Sequence, residues 1–138
     1  MAKDRDWIAK IARSRPAEVQ RLEKDGPVMK AGQLMLISSP TDIESEIRTI
    51  PEGQSVTAAD LRGRLAAAAG ADVTCPLTTG IFLRIVTEAA NQRMDAGEPV
   101  SGLVPVWRVI DHKAPLLKKL TFDPQWLMHL RESEGIVG

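Results

Sequence analysis

The sequence is poor in the residues that most often mark a chemical site, because it holds one cysteine and two histidines in 138 residues. A single cysteine excludes an internal disulfide and favours a reducing, cytoplasmic setting. The two histidines, His112 and His129, have neither a cysteine nor another histidine at the spacing of metal ligands. We therefore expect no metal site and no cofactor.

Charge of one sign is also lacking, since 18 lysines and arginines are balanced by 18 aspartates and glutamates. A protein that binds many phosphates usually carries a strong basic excess, so any binding of nucleic acid must come from a local patch. No apolar run is long enough for a signal peptide or a membrane span. We expect a cytoplasmic protein without a membrane partner.

What is present fits one folded domain, because 43% of the 138 residues are hydrophobic, which is enough to build a core. We divide the chain at residue 40. Residues 1–39 are predicted to form a short helix, from Asp6 to Ala12, and an extended arm packed on residues 40–138. The apolar run Leu34–Ile37 fits either a short strand or a buried connection.

Start and stop signals predict the first two helices of the larger part. Thr41 and Glu44 form a capping box ahead of a helix from Asp42 to Ile50. Thr57 caps an alanine-rich helix that ends at Gly70, where glycine favours a left-handed stop.

A third helix is predicted from Pro76 to Gln92, with Thr74 as its N-cap. The extended segment Gly102–Ile110 follows it. Two short helices joined by a glycine-containing connection and followed by a β segment outline a winged helix-turn-helix, whose second helix enters a DNA major groove. The predicted fold class is therefore mainly α with a small β element.

The start of this third helix is a candidate DNA contact, because it presents hydroxyl groups, a glycine and free backbone amides. Basic side chains along the helix and around the predicted wing are suited to the phosphate backbone. The candidates are Thr78, Thr79, Gly80, Arg84, Arg93, Arg108, Lys113, Lys118 and Lys119. The threonines equally fit a role in capping the helix, and the lysines equally fit a solvated loop.

The segment Gly97–Ile110 carries a resemblance to a known family. It reads Gly-Glu-Pro-Val-Ser-Gly-Leu-Val-Pro-Val-Trp-Arg-Val-Ile. This resembles the active-site segment of the alkylguanine-DNA alkyltransferases, which reads Asn-Pro, a short apolar run, then Pro-Cys-His-Arg-Val. The tail Gln125–Met128 with Glu134 and Gly135 is similar to the family's closing helix. The resemblance covers about Pro40 to Gly135 and implies the fold of the family's C-terminal, DNA-binding domain.

The resemblance also implies a reaction, in which a thiolate activated by a histidine and a carboxylate takes the alkyl group from a flipped guanine. By position, Val106 stands at the acceptor cysteine, Trp107 at the histidine and Gln125 at the activating glutamate. Valine has no atom that accepts an alkyl group. The resemblance therefore implies a retained fold without the transfer reaction.

Three further positions differ from the family in the same way. Glu98 stands at the hinge asparagine, and Ala58 stands at the tyrosine that helps to turn the nucleotide. Gly80 falls at the intercalating arginine. The chemical positions have changed together, whereas the neighbouring scaffold positions match the family.

These observations predict a non-catalytic protein of the alkyltransferase-like kind, a DNA-repair class, that binds double-stranded DNA, alkylated or distorted, without alkyl transfer. Alkyltransferase-like proteins carry tryptophan at the cysteine position, and here Trp107 lies one place later. Trp107 is thus either a lesion reader by analogy or a filler of the vacated cavity. The alternative function is a protein-interaction or regulatory domain without repair activity. A third hypothesis makes Cys75, at a helix start, a residual alkyl acceptor, although a free cysteine is most often a small buried hydrophobe.

Overall fold

The structure is a computed structural model that describes residues 6–27 and 29–137. Within this part of the chain the longer elements follow one another as α1 (Trp7–Ala12), β1 (Glu18–Arg21), β2 (Leu34–Ile37), α2 (Pro40–Arg48), α3 (Ala58–Ala69), β3 (Val73–Thr74), α4 (Pro76–Asp95) and α5 (Gln125–Ser133). Short 3-10 turns lie at Val100–Gly102, Val106–Arg108 and Pro115–Lys119. The protein is mainly helical with a small sheet, as the sequence predicts.

The sheet has three strands in the order β1-β2-β3 across the described residues. β1 and β2 form an antiparallel hairpin, whereas β3 pairs with β2 in parallel. A parallel pair requires a crossover connection, and here α2 and α3 supply it. The run Leu34–Ile37 is therefore a strand, and part of the predicted arm forms the strand beside it.

The prediction of a β segment at Gly102–Ile110 is wrong, because these residues hold the end of one 3-10 turn, the whole of another and no strand. The N–H groups of this segment bond locally, since Arg108 N donates to Pro105 O at 3.0 Å and Val109 N to Val106 O at 3.0 Å, whereas Arg108 O accepts the distant Val56 N–H at 2.9 Å. Valine and isoleucine favour strands only where a neighbouring strand offers pairing partners. This segment lies in the core instead, where its apolar residues are buried by helices.

Helix starts and stops match the predictions in part. Thr57 Oγ1 accepts the N–H of Asp60 at 3.0 Å, and Gly70 ends α3 with φ 69°, both as predicted. For α2 the cap is Ser39, whose Oγ accepts Asp42 N at 3.1 Å, so the predicted capping role of Thr41 is wrong.

The predicted N-cap of α4 is also wrong. Thr74 lies in β3, and its Oγ1 donates to Arg62 O at 2.8 Å, which links the strand to α3. Cys75 occupies the cap position without a side-chain cap bond. The Thr74 hydroxyl therefore joins β3 to α3 and does not cap α4.

The N-terminal helix packs on α4 and shares its core. Gln92 Oε1 accepts the backbone N–H of Trp7 at 2.8 Å and of Ile8 at 3.1 Å, and Gln92 Nε2 donates to Asp6 Oδ1 at 2.9 Å. Trp7 and Ile11 are buried in the same apolar cluster as α2, α3 and α4. Among residues 6–27 and 29–137, no helix combines the length and apolarity that crossing a membrane requires.

Ser39 and Thr41, which both lie at the start of α2, provide a matched test of which residue caps the helix. Ser39→Ala removes the cap bond of a buried hydroxyl and should lower the free energy of unfolding by about 1 kcal/mol. Thr41→Ala, at an exposed position, should change it by less than about 0.5 kcal/mol. Urea denaturation followed by tryptophan fluorescence measures both. A larger loss of stability in Thr41→Ala than in Ser39→Ala would show that Thr41 caps α2, as the sequence predicts.

Candidate functional site

The first two turns of α4 present an exposed apolar face. Leu77 is 72% exposed and Ile81 is 50% exposed, one helical turn apart, with exposed Gly80 between them. The predicted hydroxyl contacts are not both accessible. Thr79 is 2% exposed and its Oγ1 donates to Cys75 O at 2.7 Å, so it stabilises the start of the helix rather than facing a ligand.

A groove lies beside this face, bounded by α1, the first half of α4 and the segment 109–119. We call it the α4 groove, and its volume is about 430 Å³. Its walls are formed by Trp7, Lys10, Ala58, Pro76, Leu77, Gly80, Ile81, Leu83, Arg84, Ile85, Val109, Ile110, Ala114, Pro115, Leu116 and Lys119. Three of these residues are cationic and none is acidic. In a chain without net charge this is a local positive patch on an apolar surface.

Arg84 and Lys10 both lie close to the Trp7 ring in the α4 groove. The Arg84 guanidinium lies 5.5 Å from the centre of the Trp7 ring, and Lys10 Nζ lies 5.7 Å from the centre of the same ring. Arg84 Nε is 3.8 Å from a carboxylate oxygen of Glu88 but has no hydrogen-bond partner in the described structure. Glu88 already accepts two bonds from Thr121, from its N at 2.8 Å and its Oγ1 at 2.6 Å.

The remaining basic candidates are divided by their environment. Arg108 is committed to the protein, because it donates to Glu134 Oε1 and Oε2 at 2.9 Å each and to Ile50 O at 2.8 Å. Its contact with DNA stays a prediction, and making it would require these bonds to be exchanged. Arg93 pairs with Glu44 at 3.0 Å. The side chains that stay exposed are those of Lys113, Lys118 and Lys119.

Val106 and Trp107, which the resemblance places at the acceptor cysteine and the histidine, lie in the core. Val106 is 0% exposed and Trp107 is 3% exposed. Neither lines the α4 groove, whose wall is instead formed by Val109 and Ile110. The burial of Trp107 favours the interpretation that it fills a cavity. Ala58 and Gly80, two other positions assigned by the resemblance, do line the groove, whereas Glu98 is exposed elsewhere.

The carboxylate bonded to Trp107 is that of Glu134, which the sequence reasoning did not assign a role. Trp107 Nε1 donates to Glu134 Oε2 at 2.8 Å, and the Gly53 N–H donates to Oε1 at 2.9 Å. The hydrogen bond from Arg108, with those from Gly53 and Trp107, outweighs desolvation and lowers the pKa of Glu134 to about 2. Gln125, which was assigned to the activating position, is exposed and lines a separate cleft.

The signal that could have identified Glu134 is its place beside Gly135 at the end of the tail. A residue that follows α5 by one position lies at the helix C-terminus, where the chain turns back to the core. Gln125 lies at the opposite end of the same helix.

The chain's two histidines come together only at the surface. His112 and His129 line one cleft with Gln125 and Glu132. Within residues 6–27 and 29–137, no three histidine, cysteine, aspartate or glutamate side chains are arranged to hold a metal ion. Cys75 is half-buried at the start of α4.

No protein family, no curated protein and no solved structure matches this chain.

Glu134 provides a stability test with a matched control. Glu134→Gln removes the charge that Arg108 faces and should lower the free energy of unfolding by about 2–3 kcal/mol at neutral pH. Glu132→Gln, exposed and two residues away, should have little effect. Urea denaturation of the three proteins measures the difference.

The same comparison has a predicted pH dependence. The pKa of Glu134 is lowered from 4.5 to about 2 on folding, so its stabilisation is complete above about 4.5 and is lost as the pH falls towards 2. The difference in free energy of unfolding between the wild type and Glu134→Gln should therefore become smaller as the pH falls from about 4.5 towards 2. If that difference does not change with pH, the charge of the Glu134 carboxylate does not contribute to stability.

Proposed function

We propose that the protein is a non-catalytic, double-stranded DNA-binding protein of the alkyltransferase-like kind, and that it contacts the duplex with the first half of α4 and the rim of the α4 groove. The observation that carries the proposal is the positive patch in a chain of zero net charge, formed by Lys10, Arg84 and Lys119 with no acidic side chain among the groove residues. A duplex is attracted by such a local excess of cations.

The architecture supports the same proposal. α3 and α4 follow each other through a short connection that contains Gly70, which is the order of the two helices in a helix-turn-helix. We assign α4 as the helix that enters the DNA. The exposed first turns of α4 have a glycine at position 80, where the absence of a side chain lets a nucleic-acid backbone come close. Lys113 is exposed and precedes the groove residue Ala114 in the chain.

The resemblance supports a binding role without chemistry. It puts Val106 at the alkyl acceptor, and this valine is fully buried and has no nucleophilic atom. We infer that DNA, including alkylated or distorted DNA, is bound and released unchanged.

A protein-interaction domain is the second candidate, and the exposed pair Leu77 and Ile81 favours it. Large apolar side chains at this spacing are typical of a helix face that docks on a partner. Salt discriminates between the two functions, because apolar contacts persist at high ionic strength whereas phosphate contacts weaken.

DNA binding is tested by fluorescence anisotropy with plain and alkylguanine duplexes over a series of salt concentrations. We expect binding at low salt that is weakened about tenfold by Lys119→Glu. The slope of log affinity against log salt concentration should fall by about the amount for one phosphate contact. Lys30→Glu, an equally exposed lysine in the β1–β2 connection, is the matched control and should have a much smaller effect. Equal losses from both variants would indicate diffuse attraction, and no binding at low salt would disprove the proposal.

The absence of alkyl transfer is tested by mass spectrometry of the intact protein after incubation with an alkylguanine duplex. We expect an unchanged mass, because the resemblance leaves no acceptor at Val106. An added alkyl group would contradict the proposal. The variant Cys75→Ser would then show whether the half-buried thiol had taken it.

A further inference from the structure

We propose that the α4 groove also binds a small amphiphilic anion, with a medium-chain carboxylate as the ligand class. This inference goes beyond DNA binding and rests on the shape, lining and charge of the groove. Its volume of about 430 Å³ lies within the range of about 300–1,000 Å³ that small-molecule sites occupy.

The walls of the groove suit a hydrocarbon chain. Side chains of Ile81, Leu83, Ile85 and Leu116 line it together with the Trp7 ring. Burying apolar ligand surface against such walls is favourable in proportion to the area removed from water. The groove therefore selects for a ligand that is mostly apolar.

The charges of the groove suit one anionic end. Lys10, Arg84 and Lys119 line it and no acidic residue does. The carboxylate of Glu88, which is 2% exposed and binds Thr121, stands 3.8 Å from Arg84. Two lysine charges thus remain without a facing carboxylate among the groove residues, which makes the site complementary to an anion rather than a cation.

Arg84 is the residue that we assign to the carboxylate. Its guanidinium is oriented by the Trp7 ring at 5.5 Å and by Glu88, which its buried Nε faces at 3.8 Å. The side chain is 30% exposed, so part of it is within reach of a ligand. Because Nε is turned to Glu88, the terminal N–H groups of Arg84 are the donors for a ligand carboxylate, and an arginine that is already fixed in place loses little side-chain freedom on binding.

The test is isothermal titration calorimetry of the full chain with decanoate, below the concentration at which it forms micelles and in the absence of DNA. We expect one decanoate per chain. The neutral analogue decanol should bind about tenfold more weakly, because it has no negative charge to pair with the Arg84 guanidinium. Acetate, which has the charge but no chain, should show no measurable binding.

Two pairs of variants locate the site. Arg84→Gln should weaken decanoate binding about tenfold, whereas Arg64→Gln, an arginine on α3 that pairs with Glu46, should not. Ile81→Ser should also weaken it severalfold, whereas Val19→Ser, a similarly exposed apolar residue on β1, should not. Thermal unfolding of each variant checks that it folds. If Arg84→Gln does not fold, Ile81→Ser and its control Val19→Ser still test the site.

Three results would overturn the proposal. These are equal affinity for decanoate and decanol, unchanged affinity in Ile81→Ser, and an equal loss of affinity in a variant and its matched control. Because the titrations contain no DNA, their outcome is independent of whether the chain binds a duplex.

Discussion

The carboxylate of Glu134 joins three parts of the chain that are distant in sequence. It accepts hydrogen bonds from Arg108, from the Trp107 indole and from the backbone of Gly53. Arg131, one turn earlier on α5, donates to Trp107 O at 2.6 Å. A partly buried carboxylate without such partners would be costly, whereas here the bonds keep it ionised. The turn at Val106–Arg108 is therefore held by α5, and this replaces the strand pairing that its valine-rich sequence suggests.

The long helix α4 divides into a structural half and an exposed half. In the second half, Glu88 binds Thr121 and Gln92 binds the start of α1, so this half is tied to the segments on both sides. In the first half, Leu77 and Ile81 are exposed. Because polar tethers concentrate in one half, the other half can meet a ligand without loosening the core. Both proposed activities use that first half.

The buried position of Trp107 changes which residues matter for function. A tryptophan that reads a DNA lesion must reach the surface, whereas this one has its indole N–H bonded to Glu134 and its ring packed edge-on against Trp126. The groove beside α4 is lined by Ala58, Gly80 and Ile110 instead. Under the proposed function, a distorted base would meet these residues rather than Trp107.

Several elements could be predicted from local sequence because their cause is local. Thr57 caps the helix that follows it and Gly70 stops it, since both effects act within one turn. The sequence predicts the helix start at Pro76 and places its end three residues short, and a strand is one of the two structures that it allows for the run Leu34–Ile37. The cap of α2 was assigned to Thr41 because both Thr41 and Ser39 precede the helix, and sequence does not say which hydroxyl faces the free amide.

The sequence alone determined that the chain is mainly helical, where α3 starts and stops, and that any positive patch must be local in a chain of balanced charge. Those properties depend on composition and on neighbours a few positions apart. Only the tertiary structure decided that Glu134 rather than Gln125 meets Trp107, that Arg108 is tied to the core, and that Lys10 and Lys119 line one groove with Arg84. These depend on contacts between residues tens of positions apart, which arise only when the helices pack together.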